Sequence, residues 1–303
     1  EESIKFCPNI NIFYGENAQG KTNILEAIYL VSMGKSHRTQ RYNEMIKWDK
    51  DYSRVNIKYS KNTIEGNIDF FIKKNQKKQI KINGIKIDKL SEILGKINIV
   101  MFSPDHMKIV KDGPSERRKF IDAILSQTKP KYYYNLTQYI KVLGQRNILL
   151  SNDNKKKEIE KTLDVWDYQL IDFGSKIIKD RDSFIKNIGG IAENINSQLS
   201  GGKEKLHTIY KPSVNFIDYS LNEIKESFAK RLEKARPMDI KRGVTCYGPH
   251  RDEITLSING KELRSFGSQG QQRSALLSLK LSEMSFIKEE TGTVPVLPLD
   301  DVF

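Results

Sequence analysis

Cysteine is nearly absent: Cys7 and Cys246 are the only two, far apart and without CxxC spacing. That excludes a disulfide framework and a cysteine-ligated zinc site and suits a reducing compartment, so a cytoplasmic location is expected. No apolar run approaches the ~20 residues that span a bilayer, and no signal-peptide pattern opens the chain, so no membrane partner is expected. The first residue is Glu1 rather than Met, and the sequence reads as truncated at both ends. His37, His106, His207 and His250 show no metal-ligand spacing. With 38% hydrophobic and 29% charged residues the chain stays outside the disordered class, and its 303 residues can bury one large or two modest cores.

Acid is outnumbered by base. Lys plus Arg total 51 against 38 Asp plus Glu, a net charge of +13 that favours polyanionic partners, nucleic acid first. A lysine-rich proteome would give the same surplus, so motifs must decide.

Asn9–Tyr14 reads as a short buried strand and Thr22–Met33 as a helix, which makes Gly15–Lys21 a strand-to-helix loop. From Tyr52 to Phe102 the periodicity is two, with a hairpin turning at Asn83-Gly84, and an antiparallel β-layer is expected. Between about Ser115 and Arg236 long segments such as Lys131–Leu150 and Lys156–Lys186 are helical, with breaks at Ser151–Lys157 and Gly201-Gly202. Strands return at Val244–Tyr247 and Ile254–Ile258, the latter turning at Asn259-Gly260; a helix from about Gln271 to Lys288 and an apolar strand, Val294–Leu299, close the chain. The expected fold class is α/β: an ATPase lobe made of 1–114 with 237–303, and a helical insertion lobe, 115–236.

Gly15-Glu16-Asn17-Ala18-Gln19-Gly20-Lys21-Thr22 matches GxxxxGK[ST] between strand and helix signals, and Asn23 follows it into the helix. Glycines let the backbone curl until its N–H groups surround a β-phosphate, and the helix start adds its positive dipole end. Lys21 then reaches the β- and γ-phosphates of ATP, and the Thr22 hydroxyl binds Mg²⁺. A second metal carboxylate belongs at the end of an apolar strand, where Asp300 stands; Asp301 beside it is placed to orient or deprotonate the attacking water. Pro298 sits badly inside such a strand, because it cannot donate to a ladder. Ser268-Gln269-Gly270-Gln271, before an amphipathic helix, forms another anion-binding N-terminus. Alone it is a helix cap. In the order P-loop, Ser-x-Gly-Gln, apolar-Asp-Asp, it has the shape of the ABC-type motif that docks on the γ-phosphate of ATP held by a second subunit.

The run Gly15–Ile28, Lys35-Ser-His-Arg38, Pro114–Asp122, Tyr247-Gly-Pro-His-Arg-Asp252, Ser268–Arg273 and Leu299–Phe303 together resemble the RecF family, in family order over nearly the whole chain. The resemblance implies an ABC-type head related to those of SMC proteins, with a compact helical lobe in place of a long coiled coil. It further implies an ATP-dependent homodimer that clamps DNA at gaps, slow ATP hydrolysis, work with RecO and RecR in loading recombinase, and a part in the SOS response. Glu253 stands where the family usually has Asp, and Pro298 replaces an aliphatic residue. The chain stops at Phe303, before the loop that follows the acidic strand in ABC proteins, so it is expected to bind ATP without hydrolysing it well.

Lys73-Lys74 with Lys77-Lys78, Arg117-Arg118-Lys119 and Lys155–Lys157 are clusters that could neutralise phosphates, although such runs are usually solvated faces. Tyr132-Tyr133-Tyr134 could stack on bases, but three adjacent aromatics at a helix start more often face different ways and pack. Gly248–Asp252 is a tight turn on its own residues; the resemblance puts it near nucleotide or DNA. The nucleotide-binding subunit of a membrane transporter shares the three ATP motifs, but the long helical insertion and the positive charge argue against it. A monomeric P-loop kinase or GTPase leaves Ser268–Gln271 without a purpose.

Overall fold

Glycines in the left-handed region bracket the first helix, Gly20 (φ 88°) before it and Gly34 (φ 66°) after it, and they fix α1 as Lys21–Met33. The structure, a computed structural model, describes residues 2–17, 19–39, 41–61, 63–151 and 156–300, of which 156–161 as backbone only. Beyond α1 the chain forms a four-stranded antiparallel sheet in simple meander order: β1 (Tyr52–Lys61), β2 (Ile64–Lys73), β3 (Gln79–Ile82) and β4 (Ile85–Ile87). Period-two patterning does what it should here. Ile68, Phe70, Ile72 and Ile80 are buried against Leu30 and Val31 of α1, and alternate residues face water. The β3–β4 turn takes positive φ at Asn83 (51°) and Gly84 (82°), the signature of a two-residue hairpin loop.

After the short α2 (Lys108–Lys111) come α3 (Pro114–Thr128), α4 (Pro130–Leu150) and the 44-residue α5 (Lys156–Leu199). Proline at the first turn of α3 and α4 suits a position whose N–H has no intrahelical partner. A strand follows inside this mainly helical stretch: β5 (Leu206–Lys211) pairs antiparallel with β6 (Glu253–Ile258), which turns through Asn259 (φ 50°) and Gly260 (φ 79°) into β7 (Lys261–Glu262). Between them α6 (Leu221–Arg242) runs past Arg236 and through Pro237. A one-turn α7 (Leu263–Phe266) leads to α8 (Gln269–Thr291). The largest core joins Leu170, Ile177 and Phe184 of α5, Phe228 of α6, Ile254 of β6 and Phe286 of α8 around Val100 and Phe102.

Three sequence expectations fail. Asn9–Tyr14 is irregular and its apolar residues lie outside: Ile10, Ile12 and Tyr14 are 80%, 79% and 92% exposed. Its backbone turns on a side chain instead, Asn11 Oδ1 accepting from the Cys7 N–H (2.8 Å) while Asn11 Nδ2 donates to the Cys7 carbonyl (3.0 Å), a local bond that competes with pairing. Val244–Tyr247 is no strand either. Side chains satisfy its amides: Asn147 accepts from Thr245 N (2.9 Å) and Asp239 from Cys246 N (3.0 Å). The β-layer also ends at Ile87; residues 98–102 run parallel to 296–300 instead.

That parallel pair explains Pro298. Val296 N donates to Asn98 O (2.8 Å), Val100 N to Val296 O (2.9 Å), Phe102 N to Pro298 O (2.9 Å) and Asp300 N to Phe102 O (3.0 Å). The rung missing from this even series is the one that Pro298, having no N–H, would donate to Val100. The proline costs one bond and leaves the register intact.

Candidate functional site: two helix N-termini and an acidic strand end

Gly15 (φ 145°) and Gly20 (φ 88°) hold backbone shapes closed to other residues, and between them the loop bearing Glu16, Asn17 and Gln19 is exposed. Ala18 lies outside the described residues. α1 begins with no side-chain cap and no acid in its first turn, so its first amides keep their capacity for an anion. Lys21 Nζ folds back to donate to the carbonyls of Gly15 (2.8 Å) and Glu16 (2.7 Å), which poises its charge at the loop mouth.

The ladder of 98–102 with 296–300 delivers Asp300 to this place. Thr22 Oγ1 donates to Asp300 Oδ1 at 3.2 Å across 278 residues of sequence. A hydroxyl and a carboxylate at the phosphate end of the loop are the oxygen donors that a hard cation such as Mg²⁺ uses, so the residues fit the metal as well as the nucleotide. Asp301 lies outside the described residues. A surrounding network was not legible in the sequence: Ser36 Oγ donates to Glu26, and Arg38 Nη1 reaches Glu26 Oε2 at 3.2 Å and Asn23 Oδ1 at 3.5 Å. His37 stands by with a buried Nδ1 that has no hydrogen-bond partner among the described residues. Burial holds its imidazole below the ordinary value, against the pull of Glu26 and Asp300.

The second N-terminus is separate. Ser268 caps α8, accepting from Gln271 N (3.2 Å), and Gln271 Oε1 accepts from Ser268 N (3.0 Å), a reciprocal capping box. Helix geometry gives the amides of Gln269 and Gly270 no partner within α8. A Cβ at Gly270 would meet only Ser268 Oγ, at 3.8 Å, so the chain's own packing does not demand glycine there; its smallness leaves the helix end open to an incoming group. Among the described residues no hydrogen bond or ion pair links Ser268, Gly270 or Gln271 to the loop of Lys21 and Thr22.

The other motifs turn inward. Arg117 is buried, binding Glu253 Oε1 (3.0 Å) and the carbonyls of Ile109 and Asp112. Arg118 donates to Asp252 O (2.6 Å), and Lys119 pairs with Glu116. This cluster therefore offers little to phosphate. Asp252 is fully buried, accepting from Tyr210 and from Ser213 N (2.8 Å) beside Arg181. Arg181 also holds Asp122 (2.8 Å) and the Pro249 carbonyl (2.7 Å). His250 Nε2 must donate to the Thr245 carbonyl (3.0 Å), which leaves Nδ1 to accept from Tyr139 (2.6 Å); burial pushes this neutral ring down to about 4. Gly248–Asp252 is thus the tight, structural turn. The three tyrosines diverge: Tyr132 is buried on Asp122, while Tyr134 is exposed with its ring edge on Phe173. Of the remaining basic residues, Lys78 tucks against the Gly34 carbonyl (2.8 Å), and Lys155 lies outside the described residues.

Comparisons agree with this geometry. A family model described as an AAA domain matches residues 1–236. The proteins named DNA replication and repair protein RecF from Clostridium perfringens (strain 13 / Type A) and Acetivibrio thermocellus are each 45% identical to the chain. The first aligns over 99% of this chain and 81% of its own length, the second over 100% and 82%. Two solved structures of the recombination mediator protein RecF in the RecFOR pathway, one with ATP and one with ATPrS, superpose with TM-scores of 0.94 and 0.93. Their identities are 40% and 41%, over 99% of this chain and 80% and 81% of theirs. With the P-loop, the acidic strand end and the capped second N-terminus in family order on a matching α/β ATPase head, the chain belongs to the RecF family of DNA replication and repair proteins.

Proposed function

We propose that this protein is an ATP-dependent DNA-binding protein of recombinational repair. Gly15–Asn23 cradles ATP, with Lys21 on the β- and γ-phosphates. Thr22 and Asp300 hold Mg²⁺, which when bound neutralises phosphate charge. Ser268, Gly270 and Gln271 of each chain dock on the γ-phosphate held by the partner, so ATP drives a homodimer. The observation that carries this reading is the pair of helix N-termini whose first amides have no partner within their helices and which, among the described residues, share no hydrogen bond or ion pair: one chain offers two phosphate cradles, and a single nucleotide needs one. The RecF structures with ATP and ATPrS support the first cradle.

The dimer holds DNA at gaps through the basic surplus, works with RecR and RecO in the cytoplasm, serves recombinase loading and the SOS response, and hydrolyses ATP slowly. Residues 1–114 with 237–303 make the ATPase lobe and 115–236 the helical lobe, with the second boundary inside α6 and β5 tying the lobes together. Asp301 orients or deprotonates water; Asp301→Asn in a chain extended past Phe303 keeps ATP binding and loses turnover, and normal turnover would reassign the residue. The transporter reading is set aside, because the relatives above are repair proteins. Light scattering with ATP, ADP and no nucleotide tests the switch, and duplex retention between 50 and 200 mM salt, roughly, tests the clamp. ATP-independent mass or a flat salt response refutes it, because neutralising several phosphates makes binding steeply salt-dependent.

A further inference from the structure

Trp48 is 99% exposed, at the tip of a turn closed by Lys50 N donating to Lys47 O (2.9 Å). The turn is no loose appendage: Ile46 before it is buried in the core under α1, and after it Asp51 O accepts from Lys74 N (2.9 Å) and Tyr52 enters β1 opposite Lys73. The solvent face of the sheet continues from there. Arg54 of β1 lies across from Phe71 of β2, and the Tyr52 and Phe71 rings sit 5.7 Å apart, tilted by 33°. The inner face already supplies the core, so the aromatics on the outer face are not called for by packing. Lysines flank them: among the described residues Lys47, Lys73 and Lys81 make no ion pair. The acids next to them, Asp49, Asp51 and Asp69, each face a cation already, at 3.6, 3.5 and 2.6 Å.

We infer that this face, from Trp48 across Tyr52 and Phe71, is a binding platform for single-stranded DNA, with bases on the aromatics and phosphates on Lys47, Lys73 and Lys81. It rests on the DNA-binding reading above and assigns that reading a place. The aromatics choose the single strand: a π-face is offered by an unstacked base, whereas a duplex keeps its bases stacked and presents phosphates, sugars and groove edges but no π-face.

The test uses the full chain with ATP, an oligothymidylate of ~20 nucleotides, longer than one typical single-strand site, and a duplex of the same length. Oligothymidylate quenches the fluorescence of Trp48 and the quench vanishes in Trp48→Phe; the other tryptophan, Trp166, packs on the main core. Trp48→Ala weakens oligothymidylate binding by roughly 5- to 150-fold, the range for losing one stacked base, and leaves ATP binding unchanged. Lys47→Ala with Lys73→Ala lowers the salt slope by about 0.7 for each phosphate that is no longer neutralised. Wild-type binding in Trp48→Ala without a quench in the parent overturns the platform and leaves the DNA-binding reading standing. Equal losses for duplex and single strand overturn the stacking. No DNA bound at any salt concentration sinks the underlying reading as well.

Discussion

Two substitutions separate the cap that Ser268 makes from the contact proposed for it. In one chain it caps α8, through the 3.2 Å bond to Gln271 N, and across the proposed dimer it meets the partner's γ-phosphate. Ser268→Ala removes the cap, which costs about 1 kcal/mol. α8 is held by buried Ala275, Leu279, Phe286 and Ile287, so the fold survives with a melting temperature lower by roughly 2 °C. Ser268→Asp keeps the cap, since aspartate caps as well as serine, and stability stays put. Its charge, however, lies at about 4 Å from a phosphate in the closed dimer and costs about 1–4 kcal/mol per site between water-like and surface-like screening. A two-fold dimer has two such sites, so the cost doubles and dimerisation weakens by roughly 30-fold at the least. Monomer affinity for ATP is untouched in both variants, because Lys21, Thr22 and Asp300 are elsewhere. Light scattering against ATP concentration, with thermal melts alongside, reads both effects. If Ser268→Asp dimerises like the parent, or if the two variants lose dimer in proportion to lost stability, the cap is the whole role of Ser268 and the sandwich is wrong.

Lys21→Ala abolishes or greatly weakens ATP binding in a folded protein, since the loop loses its main charge partner; calorimetric titration checks it, and unchanged affinity removes the assignment. Arg146→Ala costs about 3–5 kcal/mol in denaturant titration, because it strands Asp239, fully buried at 2.7 Å from Arg146, while Asp167 keeps Arg236 at 2.8 Å. His250 is held down at about 4 against an ordinary ~6.5, so between those values the unfolded chain binds a proton that the folded one refuses. Its contribution is present above that window and is lost as pH falls through it, by up to about 1.4 kcal/mol per pH unit. Thermal melts of His250→Gln therefore show a shallower acid slope than the parent between pH ~6.5 and ~4.

What the sequence made legible was local. The Asn83-Gly84 and Asn259-Gly260 hairpins are specified within a few residues and form as expected, and the two expected helices form as α1 and α8, starting at Lys21 and Gln269 rather than Thr22 and about Gln271. The Thr22–Asp300 meeting was legible only because two motifs of one chemistry implied each other. What failed depends on distant partners. Arg117-Arg118 reads as a surface cation run until Glu253 and Asp252, some 130 residues on, draw it inside. Asn9–Tyr14 has the composition of a buried strand but no ladder to join among the described residues, and Val244–Tyr247 gives its amides to Asn147 and Asp239. β5 carries a period-two signal, Leu206, Thr208 and Tyr210, that its long helical neighbours mask.

The length of α5 has a mechanical meaning. At 1.5 Å per residue its 44 residues extend about 66 Å, and α8 grips only one part of it, through Phe184 on Phe286 (4.8 Å) and Asn196 on Ser278 (3.3 Å). The other part is clasped by ion pairs, Asp167 to Arg146 of α4 and Asp172 to Lys225 of α6. A helix so held is a rod braced along its length. With Leu163, Leu170 and Ile177 also fully buried, a tilt imposed where α8 grips cannot be absorbed by α5 alone and is passed on to α4 and α6, so the helix proposed to meet a phosphate is coupled through one rod to both of them.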